Sequence, residues 1–258
     1  MKKELIDSHC HLYLEDFDGD LAEVMKRAEK EGIRRIYMPS IDSNHLKKML
    51  ELQNTFKGTC YSMLGLHPCY VRENYRDELD IIKKAIEEDQ FVAIGEIGLD
   101  YYWDRSFDDH QMICFREQID VAVQYKLPIV IHSRSSMDAC IKVLQEEKSK
   151  GIRGIFHCFS GNLQNAMDII DCGFMLGIGG VVTYKNAGLA EVVAQVPMEH
   201  LVLETDAPYL TPVPFRGERN ESSYLKYVVA KIASVKNVSE EDVAAITTAN
   251  ALKIFGEN

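Results

Sequence analysis

His9 and His11 stand one residue apart in Asp7-Ser8-His9-Cys10-His11, and further imidazoles and carboxylates follow at Glu96, His132, His157 and Asp206. In extended backbone successive side chains alternate sides, so His9 and His11 point the same way and can share one metal ion. Neutral imidazole and carboxylate suit zinc, manganese and related divalent ions, and a carboxylate with two oxygens can bridge a pair of them. Glu96 is the natural bridge, with His132 and His157 near one ion and Asp206 near the other. Positions left open for water or substrate favour catalysis over a closed structural site. Two divalent ions (Mg, Mn or Zn) would lower the pKa of a shared water and stabilise charge on an attacked phosphorus or carbonyl. Asp206 could also orient or deprotonate that water, which with Glu96 makes two candidate catalytic residues.

A lone His-x-His is a weak signal, and by itself it reads as polar surface or packed core rather than as a metal site. The weight lies in where the six residues fall. Short apolar, β-branched runs occur at Leu5–His9, Ile33–Pro39, Cys60–Leu66, Phe91–Ile97, Pro128–His132, Gly154–Cys158, Phe174–Ile178 and Leu201–Glu204, which predicts eight strands. The ionisable residues sit at or just past the ends of five of them, where aliphatic packing has no use for charge. Between the runs lie helical patterns such as Leu21, Val24, Met25 and Ala28 before Gly32, Ile113/Ile119/Ala122/Val123, and Ala166/Met167/Ile169/Ile170. Alternating strands and helices imply parallel strands and crossovers, and eight units in 258 residues suit an α/β fold of the (β/α)8 TIM-barrel type, a single domain over 1–258. All strand C-termini then open on one rim, so residues two hundred positions apart converge. An open doubly wound sheet is the rival, but the first βα junction lacks a GxGxxG and Gly177-Ile178-Gly179-Gly180 lacks the phosphate-loop Lys-Ser/Thr. After the eighth strand come a proline-rich loop, Ala207 to Arg219, and two helical patterns, one opened by the capping-box-like Ser239-Glu240-Glu241-Asp242.

Hydrophobic residues make up 46% of the chain, enough for one sizeable core. No apolar run reaches the roughly 18 residues of a membrane span, and Met1 to Ile6 lacks a signal-peptide core, so a soluble, cytoplasmic protein is expected. The seven cysteines are scattered without a CxxC, which fits a reducing compartment. A net charge of -11 excludes a general nucleic-acid coat protein, which needs a basic surface, but not a local phosphate site. Bound cations could supply the missing positive charge.

His67, Arg134, Lys185 and Arg216 fall in loops after strands three, five, seven and eight, where they could hold phosphate oxygens of a substrate. Each has a plain alternative, since His67 before Pro68 could anchor a turn and single exposed basic residues are usually solvated. Tyr101, Tyr102 and Trp103 follow the Glu96 strand and could stack on a nucleobase. A packing role as lid or core plug is the preferred expectation for them. Asp7 is expected in the outer shell, fixing the tautomer of a ligand imidazole or capping a turn.

With these residues in view, the chain resembles the TatD-type metal-dependent deoxyribonucleases among the amidohydrolase-like barrels. The resemblance runs through Asp7-Ser8-His9-Cys10-His11, Gly65-Leu66-His67-Pro68, Gly95-Glu96-Ile97-Gly98-Leu99-Asp100, His132-Ser133-Arg134, His157-Cys158-Phe159-Ser160-Gly161, Gly179 to Lys185, and Glu204-Thr205-Asp206-Ala207-Pro208-Tyr209-Leu210. It implies a TIM-type barrel, the ligand roles above, and a deoxyribonuclease cleaving DNA phosphodiesters as a monomer, a 3′–5′ exonuclease on single strands. Glutamate at position 96 separates the chain from binuclear relatives bridged by a carboxylated lysine. Arg216 to Ser222 departs from the family's more usual RGKRNEP, with Glu218 for a basic residue and Ser222 for proline. Hydrolysis of an amide, ester or lactone, including deacylation of aminoacyl-tRNA, is the rival chemistry. A metal-stabilised binding barrel is the non-enzymatic alternative.

Overall fold

The computed structural model describes residues 4–256. Eight strands follow in order: β1 (Leu5–Asp7), β2 (Ile33–Pro39), β3 (Cys60–Met63), β4 (Ile94–Asp100), β5 (Ile129–Arg134), β6 (Gly154–Phe156), β7 (Phe174–Ile178) and β8 (Leu201–Leu203). They pair in parallel as two arcs, β1-β2-β3 and β4 through β8. Parallel bridges Leu64↔Ile94 and Cys10↔Ala207 close the two seams, giving the expected eight-stranded TIM-type barrel. Helices α1 (Leu21–Lys30), α2 (Ser43–Thr55), α3 (Tyr75–Glu88), α4 (Asp108–Tyr125), α5 (Met137–Glu147), α6 (Leu163–Asp171) and α7 (Leu189–Gln195) occupy the crossovers, and α8 (Leu225–Lys236) and α9 (Glu240–Phe255) follow β8. No described helix is long and apolar enough to cross a membrane.

The period of two along the strands divides the apolar residues into two cores. Ile36, Ile94, Ile129, Ile131, Phe156 and Leu176 face the helices. Ile6, Tyr37, Met63, Ala93, Val130, Ile155, Met175 and Val202, one from the line of each strand, fill the interior and meet Ala251, Ile254 and Phe255 of α9. The Phe255 ring stacks on Tyr37 at 3.9 Å, so α9 closes one end of the barrel.

The next step of two from the interior residues is polar: Val130 leads to His132, Ile155 to His157, and Val202 to Glu204. At the matching position of β7, a Cβ on Gly177 would lie 2.2 Å from the Glu204 carboxylate, so only glycine leaves room for it.

Two expectations need correction. β4 runs three residues later than the apolar run Phe91–Ile97 suggests, and Glu96 lies within the strand rather than at its end. The register slips between Ile94↔Ile129 and Ile97↔Ile131, three steps against two, and such a bulge turns Glu96 to the side of the barrel that simple alternation from Ile94 would deny it. On α4, Ile113 and Val123 lie on the exposed side; the buried face is Cys114, Phe115, Gln118, Ile119 and Ala122. Glutamine side chains on that face serve the backbone: Gln118 accepts from Leu66 N–H, and Gln111 accepts from Asp100 N–H and donates to Asp100 O.

Gly98 has φ +143°, and a Cβ there would stand 2.1 Å from the carbonyl oxygen of His132. Gly98→Ala should therefore prise β4 from β5 beneath His132. We expect a loss of about 3 kcal/mol or more, read in thermal unfolding as a Tm lower by roughly 6–12 °C; an unchanged Tm would show that the two strands separate freely.

Candidate active site

Six residues expected at one rim are brought together. His9 Nε2 lies 3.1 Å from Glu96 Oε2 and 3.2 Å from His11 Nε2. His11 Nε2 is 3.4 Å from Asp206 Oδ1, and His157 Nε2 is 3.6 Å from Asp206 Oδ1 and 3.7 Å from Glu96 Oε1. His132 Nδ1 reaches Glu96 Oε1 at 2.8 Å. Among the described residues four groups have all their donor atoms within 4.8 Å of one another: His9/His11/Asp206, His9/Glu96/His157 and His67/Glu96/His132 around the centre, and His157/Cys158/Glu204 behind it. All these side chains are buried or nearly so.

The outer nitrogens decide what the inner ones can do. Tyr13 has one hydroxyl proton and donates it to Pro39 O at 2.6 Å. Its oxygen must therefore accept from His11 Nδ1 at 3.0 Å, which leaves Nε2 of neutral His11 a bare lone pair. Glu204 accepts from His157 Nδ1 at 3.1 Å, and Asp100 from His132 Nε2 at 3.0 Å. The inner nitrogens of His157 and His132, like that of His11, then face carboxylate oxygens lone pair to lone pair. Such contacts require positive charge between them, either a proton or a cation. Nitrogen and oxygen donors in this number are the donor set of zinc and similar divalent ions, so these residues fit the metal the spacing predicts.

The titration behaviour of the chain follows the same balance. Burial would raise the Glu96 carboxyl, but His67, His9, His157 and the hydrogen bond with His132 hold it well below the usual range. Burial would lower His157, yet Glu204, Glu96 and Asp206 push it up to about 10. His132 is raised in the same way by Asp100 and Glu96 against burial. His9 goes the other way, to about 4, because burial and neighbouring His157, on which its ring stacks at 3.4 Å, both disfavour charge. Its Nδ1 is a buried nitrogen with no partner.

Asp206 adopts φ +57°, a left-handed conformation uncommon for a non-glycine residue. Its N–H donates to His9 O at 2.9 Å and its carbonyl accepts from Tyr209 N–H at 2.8 Å, which hold that turn. Asp7 differs from one expectation, since its carboxylate does not reach an imidazole. It accepts from His9 N–H, Thr205 N–H, the Thr205 hydroxyl and the Ser222 hydroxyl. The residue thus ties the backbone carrying His9 to the backbone carrying Asp206, and burial raises its carboxyl to about 6. Ser222 thus supplies one of those four bonds.

His67 lies deeper than a rim contact, 3.5 Å from Glu96 Oε1 and 3.2 Å from His132 Nδ1. Its Nδ1 accepts from Cys69 N–H at 3.0 Å, so neutral His67 presents Nε2–H, a donor, to the centre. Arg134, Lys185 and Arg216 are exposed, and none makes a hydrogen bond or ion pair with its side chain among the described residues. The Arg216 guanidinium lies 4.5 Å from the Tyr184 ring centre. The packing role preferred for the aromatic run holds only for Tyr101, which packs against the core; Tyr102 is 55% and Trp103 66% exposed.

Sequence reasoning missed Glu204, Asp100 and Tyr13 as orienting partners. The signal was present as the period of two, since Val202 leads to Glu204 and Glu96 to Gly98 and Asp100. Tyr209, 54% exposed with its ring 6.2 Å from that of His11, was also passed over.

A closed parallel barrel with imidazoles and carboxylates gathered at one end is the build of a metal-dependent hydrolase. Residues 6–256 match the model of the TatD related DNase family, and the chain belongs to that family of metal-dependent hydrolases. It is 41% identical over 255 residues to the metal-dependent hydrolase YabD of Bacillus subtilis, covering 98% of this chain and 100% of that one. Its fold is similar to the crystal structure of YJJV, a TatD homolog of Escherichia coli, with a TM-score of 0.94, 30% identity and full coverage of both chains. A TatD family hydrolase of Entamoeba histolytica aligns with a TM-score of 0.87 at 25% identity, again over the whole of both chains.

Asp7→Ala would leave the Thr205 and Ser222 donors unpaired in a dry site, and we expect it to cost about 3 kcal/mol or more in urea unfolding. Asp7→Asn, whose amide can still accept at one atom and donate to rotated hydroxyls, should cost clearly less. Equal losses in the two variants would contradict the tethering role.

Proposed function

We propose that the chain, acting as one barrel domain, hydrolyses phosphodiesters of DNA with two divalent cations, removing nucleotides from the 3′ ends of single strands. The observation that supports this reading most is the set of inner imidazole nitrogens whose outer partners are already committed. His9, His11 and Asp206 would hold one ion, His132 and His157 would serve the other, and Glu96 would bridge the two. An imidazole-rich set favours zinc or manganese over magnesium, which prefers oxygen. When bound, the ions supply Lewis acidity toward the attacked phosphorus and a water that ionises near neutral pH.

The remaining work falls to side chains. Asp206, kept ionised by His157, His11 and His9 against burial, orients the attacking water and can accept its proton. His67 presents its Nε2–H toward a phosphate oxygen, and Arg134, Lys185 and Arg216 offer charge from the rim. The net charge of -11 restricts this to a local contact of a few phosphates rather than an extended track. The same centre would attack a carbonyl, so substrate choice rests on the family and on these donors.

Metal-reconstituted protein assayed on single-stranded DNA with free or blocked 3′ ends, beside dinucleotides, lactones and aminoacyl-tRNA, tests the reading. Mononucleotide release that a 3′ block abolishes is expected; robust carbonyl hydrolysis without nuclease activity would overturn it, and metal binding with no hydrolysis at all would indicate a binding barrel. Glu96→Gln should lower turnover by about two orders of magnitude or more, with fewer ions retained per chain in elemental analysis. Retained turnover would remove Glu96 from the centre.

A further inference from the structure

Just past β4 the chain carries two exposed rings that the hydrophobic core does not use. Tyr102 and Trp103 stand edge to face, with centres 4.9 Å apart. The guanidinium of Arg134, at the end of neighbouring β5, lies 4.0 Å from the Tyr102 centre and 5.0 Å from that of Trp103. Its N–H edge has no hydrogen-bond or ion-pair partner among the described residues, so the contact leaves its donors available while restricting the plane of the group. Arg134 ends β5 two residues after His132, pairs in register with Asp100, and accepts at its carbonyl from Tyr101 N–H at 2.9 Å, which places it at the mouth of the barrel beside the centre.

The position of the rings is tied to the centre. Asp100 Oδ1 accepts from the backbone N–H groups of Tyr102 at 3.0 Å and Trp103 at 3.2 Å, while its other oxygen holds His132. One carboxylate thus fixes both a candidate ligand and the start of the aromatic loop.

We infer that Trp103, Tyr102 and Arg134 form a subsite that takes one unpaired nucleobase on its aromatic surface and the adjoining phosphate on the Arg134 edge. The inference rests on the phosphodiester reading and assigns the single-strand preference stated there to these three side chains. Every base has a π face, so such a platform is indifferent to sequence. A base inside a duplex has both faces covered by its neighbours, so the platform selects single strands and frayed ends. The free guanidinium beside the rings distinguishes this surface from a purely apolar patch, because it asks for an anion next to an aromatic plane.

Trp103 is the single tryptophan of the chain, so its fluorescence reports on the subsite without any turnover. Full-length protein, with and without added metal, is titrated with a short phosphorothioate oligothymidylate, the same backbone lacking bases, and a blunt duplex. Quenching by the oligothymidylate, with binding by the abasic strand and the duplex weaker by about tenfold, is expected. In steady-state cleavage of single strands, Trp103→Ala should raise KM by about tenfold with a far smaller change in kcat, and Trp103→Phe should recover most of the loss. Arg134→Ala should weaken the abasic strand as well, because it acts on phosphate. Equal binding of abasic and normal strands, or a Trp103→Ala protein with unaltered KM, overturns the subsite. Quenching by single strands in a protein that cleaves no phosphodiester supports the subsite and sinks the reaction assignment, so the two failures are distinguishable.

Discussion

Lone pairs pointing at lone pairs are the constraint on which the rest of this structure depends. His11, His132 and His157 each spend their outer N–H on a fixed acceptor, Tyr13, Asp100 or Glu204, and turn the other nitrogen toward Glu96 or Asp206. Buried groups arranged this way repel unless positive charge lies among them. In the chain alone burial opposes charge on His132 and His157, but Asp100 and Glu96 beside the first, and Glu204, Glu96 and Asp206 beside the second, favour the protonated rings and raise their pKa values. Divalent cations would replace those protons, and metal binding would then release them.

The barrel serves this arrangement layer by layer. An apolar layer, sealed below by α9, gives the strands a rigid base, and the next inward positions carry His132, His157 and Glu204. Gly177 clears the volume that the Glu204 carboxylate fills. The bulge in β4 brings Glu96 to the same side, at the seam where the two arcs of strands meet. At the other seam, Asp7 laces β1 to the turn after β8, so His9 and Asp206 are held by one buried carboxylate. Both closures of the barrel therefore coincide with the residues that would bind metal.

Much of this was legible in the sequence because both the strands and the chemistry obey simple periods. All eight strands fall on apolar runs, and the ionisable residues after those runs do converge. The directions of particular side chains were harder to read. Nothing in Phe91–Ile97 announces an extra residue in the register, so the rim position of Glu96 could be guessed but not its place within the strand. Glu204 and Asp206 are neighbours in one motif, and only the backbone turn at Asp206 determines that Glu204 backs His157 while Asp206 faces the centre. Aromatic residues beside a strand look alike whether they plug a core or meet solvent; Tyr101 does the former, and Tyr102 and Trp103 the latter.

Anomalous diffraction from crystals loaded with zinc or manganese tests the central claim most directly. Two ions flanking the Glu96 carboxylate are expected, with Nε2 of His9, His11 and His157 and Nδ1 of His132 as ligands at roughly 2.0–2.2 Å, and with the bonds to Tyr13, Glu204 and Asp100 retained. Ions bound through the outer nitrogens of His11 and His157, or bound away from Glu96, would contradict it.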